Sequence, residues 1–184
     1  MRRVVVTGLG LVSPLGCGVE PSWQRILEGK SGAVPISLCD VSDMPARIAC
    51  EVPLEDRWND GHGGVYNADD WIAPKEQRRM DRFIQYGMAA APQAIDDSGY
   101  EARTDEEQYR SGVYIGSGNG GLPSIEATSI LLHEQGPRKV SPVFIPGSLV
   151  NLVSGQVSIQ NSLKGPNHAN ATACLTGAYP TGYS

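Results

Sequence analysis

Cys174 is the residue of this chain whose type and context best fit nucleophilic chemistry. It follows a predicted strand, and its neighbours Ala173, Thr176, Gly177 and Ala178 are small. A helix that begins just after the cysteine would direct its N-terminal amides at a thiolate and at an oxyanion. The local sequence therefore fits a cysteine that takes an acyl group from a thioester, and it fits a buried structural cysteine equally well.

The remaining cysteines and the histidines show no spacing typical of a metal site. The cysteines are Cys17, Cys39, Cys50 and Cys174, and the histidines are His62, His133 and His168. No two cysteines form a CxxC pair, so neither zinc nor redox chemistry is indicated. The N-terminal apolar run is too short for a signal peptide. We predict reduced thiols, a cytoplasmic protein, and neither metal nor cofactor.

Two glycine-rich loops raise a second hypothesis, nucleotide binding. Gly8-Leu9-Gly10 follows an apolar run, but residues 13–16 indicate a turn rather than the helix that would hold a pyrophosphate. Residues 116–121 lack the Gly-Lys-Ser/Thr ending of a phosphate loop. Close backbone packing is the favoured interpretation of both loops. Saturable binding of NADPH would support the nucleotide hypothesis.

Basic residues are concentrated in two short segments of a chain whose net charge is −5. Lys75, Arg78, Arg79 and Arg82 lie on or near one predicted helix, and Arg138-Lys139 lies in a later loop. Such a concentration is typical of a docking surface for an acidic partner, although a solvated helix face is the common alternative.

Composition limits the function classes. The chain has 184 residues, of which 40% are hydrophobic and 19% charged, so one globular domain over residues 1–184 is expected. The acidic balance, with a pI near 5.2, argues against a general nucleic-acid binder. No apolar run is long enough for a transmembrane helix.

Strands and helices alternate along the predicted chain. Strands are predicted over residues 3–8, 112–116 and 165–171. Helices are predicted from Pro21, with Trp23, Ile26 and Leu27 on one face, from Pro74 to a cap at Gly99, from residue 122 to His133, and from a cap at Ser148. Residues 30–72 lack periodicity and indicate a surface excursion. The pattern predicts an α/β fold, a mixed sheet covered by helices.

Ordered motifs along the chain resemble the N-terminal part of a β-ketoacyl-acyl-carrier-protein synthase of the elongating KAS II type. The resemblance runs from residue 2 to about residue 178. The motifs that carry it are Arg2-Arg3-Val4-Val5-Val6-Thr7-Gly8-Leu9-Gly10, Ser13-Pro14-Leu15-Gly16, Lys75-Glu76-Gln77-Arg78-Arg79-Met80-Asp81, Phe83-Ile84-Gln85-Tyr86-Gly87, Gly116-Ser117-Gly118-Asn119-Gly120-Gly121, Gly136-Pro137-Arg138-Lys139-Val140-Ser141-Pro142, Leu163-Lys164-Gly165-Pro166-Asn167 and Thr172-Ala173-Cys174.

The resemblance implies a thiolase-like fold, here only part of its N-terminal half, and a homodimer. It implies that Cys174 takes an acyl chain from acyl carrier protein and that the carbanion from a malonyl thioester then attacks this acyl group. The Cys174 amide would supply one oxyanion donor. The residues that would meet the carrier protein are Lys75, Arg78, Arg79, Arg138 and Lys139. Gly118 and Phe144 would lie near the acyl channel.

Some features depart from the family pattern. The family's two catalytic histidines and lysine lie in its C-terminal half, and this chain stops ten residues after Cys174. We therefore expect no condensation by residues 1–184 alone. The alternative is a truncated, non-catalytic remnant that docks a carrier protein or a partner subunit. Leu175 is expected to crowd the nucleophile, and Pro92 and Pro180 are expected to remove helix hydrogen bonds.

Overall fold

The core forms where two long helices meet. The structure is a computed structural model that describes residues 3–183, so Arg2 of the first motif lies outside the described residues. Helix α3 (Arg82–Ser98) packs against α7 (Leu152–Gln160). Ile84 and Met88 from α3 are buried against Val153 and Val157 from α7. This apolar contact anchors the elements that lead to Cys174.

The predicted mixed sheet is present as three short strand pairs within residues 3–183. The antiparallel pairs are β1 (Val12–Ser13) with β2 (Gly16–Cys17), and β3 (Ala33–Pro35) with β4 (Ile48–Cys50). The parallel pair is β5 (Val113–Tyr114) with β6 (Asn167–His168). The strands predicted at 112–116 and 165–171 are therefore confirmed in shorter form.

Besides α3 and α7, the helices are α1 (Val19–Leu27), α2 (Pro74–Gln77), α4 (Asp105–Arg110), α5 (Leu122–Gln135), α6 (Phe144–Ser148) and α8 (Ala178–Tyr183). The predicted helices occur in the predicted order, whereas α4 and α6 were not predicted. Single 3-10 turns cover Ala68–Asp70, Pro137–Lys139 and Ala173–Leu175. None of the helices in the described part of the chain is both long and apolar enough to span a membrane.

The strand predicted over residues 3–8 is not present. Val4, Val5 and Val6 are 72–74% exposed and pair with no strand among the described residues. The chain beyond them lies along α3 instead, because the Leu9 amide donates to Asp97 Oδ2 at 2.8 Å and the Leu11 amide donates to Gln93 Oε1 at 3.1 Å. A β-branched run needs a neighbouring strand to become part of a sheet.

The buried face of helix α1 is not the face that carries its apolar residues. Trp23, Ile26 and Leu27 are 50–63% exposed, whereas Ser22 and Arg25 are fully buried. Hydrogen bonds rather than apolar contacts decide this orientation, since the buried guanidinium has four hydrogen bonds to other parts of the chain. The apolar residues predicted to share one face of this helix therefore do not form its buried face.

The helix predicted from Pro74 is two helices, α2 and α3, separated at residues 78–81. Asp81 has an extended backbone, and its amide donates to Gly147 O at 3.0 Å. Its carboxylate accepts from the Ser124 hydroxyl at 2.5 Å and so lies at the start of α5. Contacts distant in sequence thus override local helix periodicity. The predicted cap at Gly99 is confirmed, with a left-handed φ of 62°.

Two further helix predictions need correction or explanation. Ser148 does not begin a helix; it ends α6, and its hydroxyl donates to Phe144 O at 2.9 Å. Asn151 precedes α7 instead. Pro92 lies inside α3, which nevertheless continues to Ser98. The lost hydrogen bond is tolerated because tertiary packing supplies most of a helix's stability.

Candidate active site

Cys174 lies in a tight turn between a strand and a helix, as its neighbours predicted. The 3-10 turn Ala173–Leu175 follows β6 and precedes α8. Ala173 has a φ of 51°, in the left-handed region that an alanine rarely adopts. Cys174 is exposed. The interpretation of Cys174 as a buried structural cysteine is therefore wrong.

Thr176 holds this turn together. We call residues 172–176 the Cys174 turn. The buried Thr176 Oγ1 accepts from the Thr172 amide at 2.9 Å and donates to Ala173 O at 2.8 Å. The amides of Leu175 and Thr176 donate to Thr172 O and Ala173 O at 3.1 and 3.2 Å. One side chain thus bridges both ends of the segment that carries the cysteine.

The Cys174 amide is free to donate. Among residues 3–183, this N–H donates no hydrogen bond. The amide and the Cys174 thiol belong to the same exposed turn. An unpaired backbone donor beside a nucleophile is what an oxyanion requires. The geometry is compatible with the predicted oxyanion donor.

The other cysteines differ from Cys174 in their surroundings. Cys17 is partly buried, and burial raises the pKa of its thiol. Cys39 and Cys50 are exposed, but each lies in or beside a β-hairpin arm rather than ahead of a helix. These two residues are matched controls for exposure of a thiol.

The loop at residues 116–121 lies against the Cys174 turn. A β-carbon on Gly116 would lie 2.3 Å from Asn170 Oδ1 and 2.5 Å from Thr176 Cγ2. A β-carbon on Gly118 would lie 3.8 Å from Ala173 O, so this residue is beside the turn. The glycines allow close backbone packing, as predicted.

The first glycine loop serves packing as well. A β-carbon on Gly10 would lie 1.9 Å from Ala90 O, and one on Gly8 would lie 2.1 Å from Ala94 O, both in α3. The next helix, α1, begins only at Val19. The loop therefore lacks the helix N-terminus that a dinucleotide fingerprint requires.

The residues that follow Cys174 in the sequence line an apolar groove of about 270 Å³. It is lined by Leu175, which is 63% exposed, and by Ala178, Tyr179 and Gly182 of α8. Pro180 is the third residue of α8. The first four amides of a helix have no intrahelical acceptor, so Pro180 removes no helix hydrogen bond and the predicted misfit is wrong.

Several predicted basic residues line or adjoin one groove. We call this the basic groove; it measures about 240 Å³ and is lined by Arg78, Arg79, Ser124, Ser141 and Phe144, among others. Both arginines are exposed. Arg138 and Lys139, also exposed, lie in the 3-10 turn just before Ser141, and that turn packs against α5. Lys75 lies in the adjacent α2. The fold therefore brings together segments about 60 residues apart.

Phe144 lies in the basic groove, whereas Gly118 lies at the Cys174 turn. Arg79 is partly neutralised by Glu76, whose Oε2 is 3.3 Å from Arg79 Nη1. Both side chains are solvent-accessible, so this ion pair adds little stability. Charge at the groove thus remains available to a partner.

A polar cluster lies between the end of α1 and the surface excursion at residues 30–72. One possible metal-ligand atom from each of Glu28, Asp60 and His62 lies within 4.8 Å of the other two. Arg25 and Lys30 already contact Asp60, both at 2.9 Å, and the Arg25 guanidinium holds the pKa of this carboxyl well below its usual range. Two cations on the central carboxylate disfavour a metal ion.

Sequence reasoning missed Asn170, the residue that links the two loops around Cys174. Its backbone O accepts from the Ser117 amide at 3.1 Å, and its side-chain amide donates to the Thr172 hydroxyl at 3.0 Å. The signal was a polar residue in a segment predicted as a buried strand. The left-handed Ala173 had no signal in the sequence, because alanine seldom adopts this conformation.

The fold of the described residues is similar to that of solved thiolase-like ketosynthases. The solved structure described as the ishigamide ketosynthase/chain length factor matches with a TM-score of 0.79 and 28% identity, over 99% of this chain and 43% of that one. The predicted α/β, thiolase-like fold is confirmed.

The sequence places the chain within one family. The family model described as Beta-ketoacyl synthase, N-terminal domain, matches residues 1–180, and the chain belongs to this family. The 3-oxoacyl-[acyl-carrier-protein] synthase 2 of Rhizobium meliloti is 53% identical over 99% of this chain, and that of Vibrio harveyi is 48% identical over 100%. The chain spans only 41–42% of the length of these relatives.

Proposed function

We propose that this chain carries the nucleophile of a 3-oxoacyl-acyl-carrier-protein synthase of fatty acid elongation. The observation that carries the proposal is Cys174 itself: an exposed thiol and an unpaired amide in one turn between a strand and a helix. The names of the relatives support the reaction class and the carrier protein as its partner.

In the proposed first step, the Cys174 thiolate attacks the carbonyl carbon of an acyl thioester on acyl carrier protein. The carbonyl oxygen becomes an oxyanion that accepts from the Cys174 amide. A new carbon–sulfur bond forms to Cys174 as the carbon–sulfur bond to the carrier breaks. The carrier leaves as a thiolate and takes up the proton that Cys174 gave up. The chain then holds the acyl group as a thioester.

In the second step, malonyl-carrier protein loses carbon dioxide, and the resulting carbanion attacks this thioester. A carbon–carbon bond forms, and Cys174 leaves as the thiolate. The resemblance assigns decarboxylation to histidine and lysine side chains beyond residues 1–184. We propose acyl transfer as the step that Cys174 carries. By the same resemblance we propose a cytoplasmic homodimer.

Peptide mapping after acylation tests the proposal. The protein is incubated with octanoyl-acyl carrier protein, digested, and analysed by mass spectrometry. We expect one octanoyl group on Cys174 and none on Cys39 or Cys50. An exposed thiol reacts efficiently only where an N–H group binds the oxyanion and the acyl thioester is held in position. Equal labelling of the three exposed cysteines, or none, would refute acyl transfer. Carrier binding without acylation would instead favour the remnant that only docks.

We further propose that the basic groove, with Lys75, Arg138 and Lys139, docks the acidic carrier protein. Reversing two charges, Arg78→Glu with Arg79→Glu, is expected to weaken carrier binding by about 10- to 100-fold, because like charges would then face the partner. Isothermal titration at low and high salt measures the change. The loss should shrink as salt screens the charges.

The matched control is Arg103→Glu with Arg110→Glu. These arginines are exposed near and on α4, and the double reversal changes net charge by the same amount. If both double variants weaken binding equally, net charge rather than a docking site explains the effect. That result would contradict docking at the basic groove.

A further inference from the structure

The Cys174 turn is held in a conformation that its own backbone does not favour. Ala173 has a φ of 51°, and a left-handed alanine persists only where surrounding contacts enforce it. This residue immediately precedes the nucleophile, so its conformation sets the direction in which the Cys174 side chain leaves the turn. Whatever holds Ala173 therefore also aims the thiol.

Thr176 supplies that restraint. Its side chain is only 6% exposed, and its hydroxyl uses both its donor and an acceptor site within the turn. The acceptor of its proton is the carbonyl oxygen of Ala173, the strained residue itself, at 2.8 Å. A buried hydroxyl with both partners supplied by one five-residue segment fixes the geometry of that segment.

The methyl group of Thr176 lies against the Gly116 backbone. It lies where a β-carbon on Gly116 would come within 2.5 Å, so the turn packs directly on the backbone that follows β5. Asn170, just before the turn, donates through its side chain to the Thr172 hydroxyl, and its backbone O accepts from the Ser117 amide. Cys174 remains exposed.

We propose that Thr176 is a positioning residue for acyl transfer: its buried hydroxyl locks the left-handed turn that aims the Cys174 thiol and amide at the thioester carbonyl. This inference rests on the proposed function of Cys174. It predicts that loss of the hydroxyl misdirects the nucleophile without burying or unfolding it.

Thr176→Val keeps the volume of the side chain and removes both hydrogen bonds. We expect octanoyl transfer from acyl carrier protein to fall by about 10- to 100-fold, the size of effect that a small misplacement produces. Alkylation of Cys174 by iodoacetamide, which needs an accessible thiol but no alignment, should change by less than about threefold. Thr176→Ser keeps the hydroxyl and should restore transfer to within about threefold of the wild-type rate.

Ser154→Ala is the control for loss of a buried hydroxyl elsewhere. The Ser154 hydroxyl is fully buried in α7 and donates to Asn151 O at 2.9 Å. This variant should lower the melting temperature as Thr176→Val does and leave acyl transfer unchanged. Wild-type transfer by Thr176→Val, or parallel changes in transfer, alkylation and melting temperature, would overturn the positioning role alone. A wild-type protein that takes up no octanoyl group would overturn the proposed function, and this inference with it.

Discussion

Replacing Cys174 with alanine should reduce octanoyl uptake from acyl carrier protein on the order of 10³-fold or more, because the atom that forms the acyl bond is gone. The turn should survive, since its hydrogen bonds come from Thr172, Ala173, Leu175 and Thr176 and none involves the sulfur. Intact mass after incubation with the donor measures the uptake, and an unchanged melting temperature shows that the fold is kept.

Cys39→Ala and Cys50→Ala are the matched controls, because both residues are exposed free thiols like Cys174. Each variant should be acylated at the wild-type rate. Acyl uptake that persists in Cys174→Ala and disappears in one of the controls would identify Cys39 or Cys50 as the acylated residue. That result would contradict the proposed function. Binding of acyl carrier protein should be similar in all three variants, since none of them alters the basic groove.

Replacing Arg25 with methionine should lower the free energy of unfolding by about 3 kcal/mol, the lower end of the cost of breaking a buried ion pair. Arg25 is fully buried and donates to Asp60 through two nitrogens, at 2.9 and 3.0 Å, and to the carbonyl oxygens of Leu15 and Gly63. Methionine fills the space but removes the donors to the Leu15 and Gly63 carbonyl oxygens and two of the donors to Asp60. Lys30 still contacts Asp60, which moderates the loss. Urea unfolding measures the change.

The variant Arg103→Met tests whether burial of the ion pair or its short distance causes the expected loss of stability. The Arg103–Glu101 pair is shorter, at 2.6 Å, but both side chains are exposed. Water and salt screen such a pair, so we expect no measurable change in the free energy of unfolding. Equal losses in the two variants would show that burial of Arg25 is not what matters.

The same ion pair links stability to pH. The Arg25 guanidinium, with Lys30, holds the pKa of Asp60 well below its ordinary value of 3.8. A depressed folded-state pKa means that the contribution is fully present above that ordinary value and is lost as pH falls below it, where only the unfolded chain takes up the proton. The stability difference between wild type and Asp60→Asn should therefore shrink between about pH 5 and about pH 3. A difference that stays constant over this range would contradict the assignment.

The turn that carries Cys174 and the order of the predicted elements could be predicted from sequence because both depend mainly on local residues. Small residues around Cys174 and the predicted strand before it correctly indicated a turn between β6 and a helix. Glycine spacing indicated close backbone packing, and the distances around Gly10 and Gly116 confirm it. The helix cap at Gly99 followed from a residue that tolerates left-handed backbone.

Partners distant in sequence decided the rest. The valines at residues 4–6 have strand propensity, yet they pair with no strand among residues 3–183. Asp81 interrupts a helix that its own periodicity favours, because its carboxylate binds Ser124. Arg25 rather than Ile26 faces inward on α1, because Asp60 and two carbonyl oxygens lie there.

The candidate site divides in the same way. The sequence alone determined which atom could react, since a thiol's chemistry belongs to the residue that carries it. Tertiary structure alone decided how that atom is presented: the left-handed Ala173, the hydroxyl of Thr176 that bridges it, and the packing of Gly116 on the turn. The physical reason is that the sequence gives no sign of a strained backbone conformation, which persists only where surrounding contacts enforce it, here the Thr176 hydroxyl and the packing on Gly116.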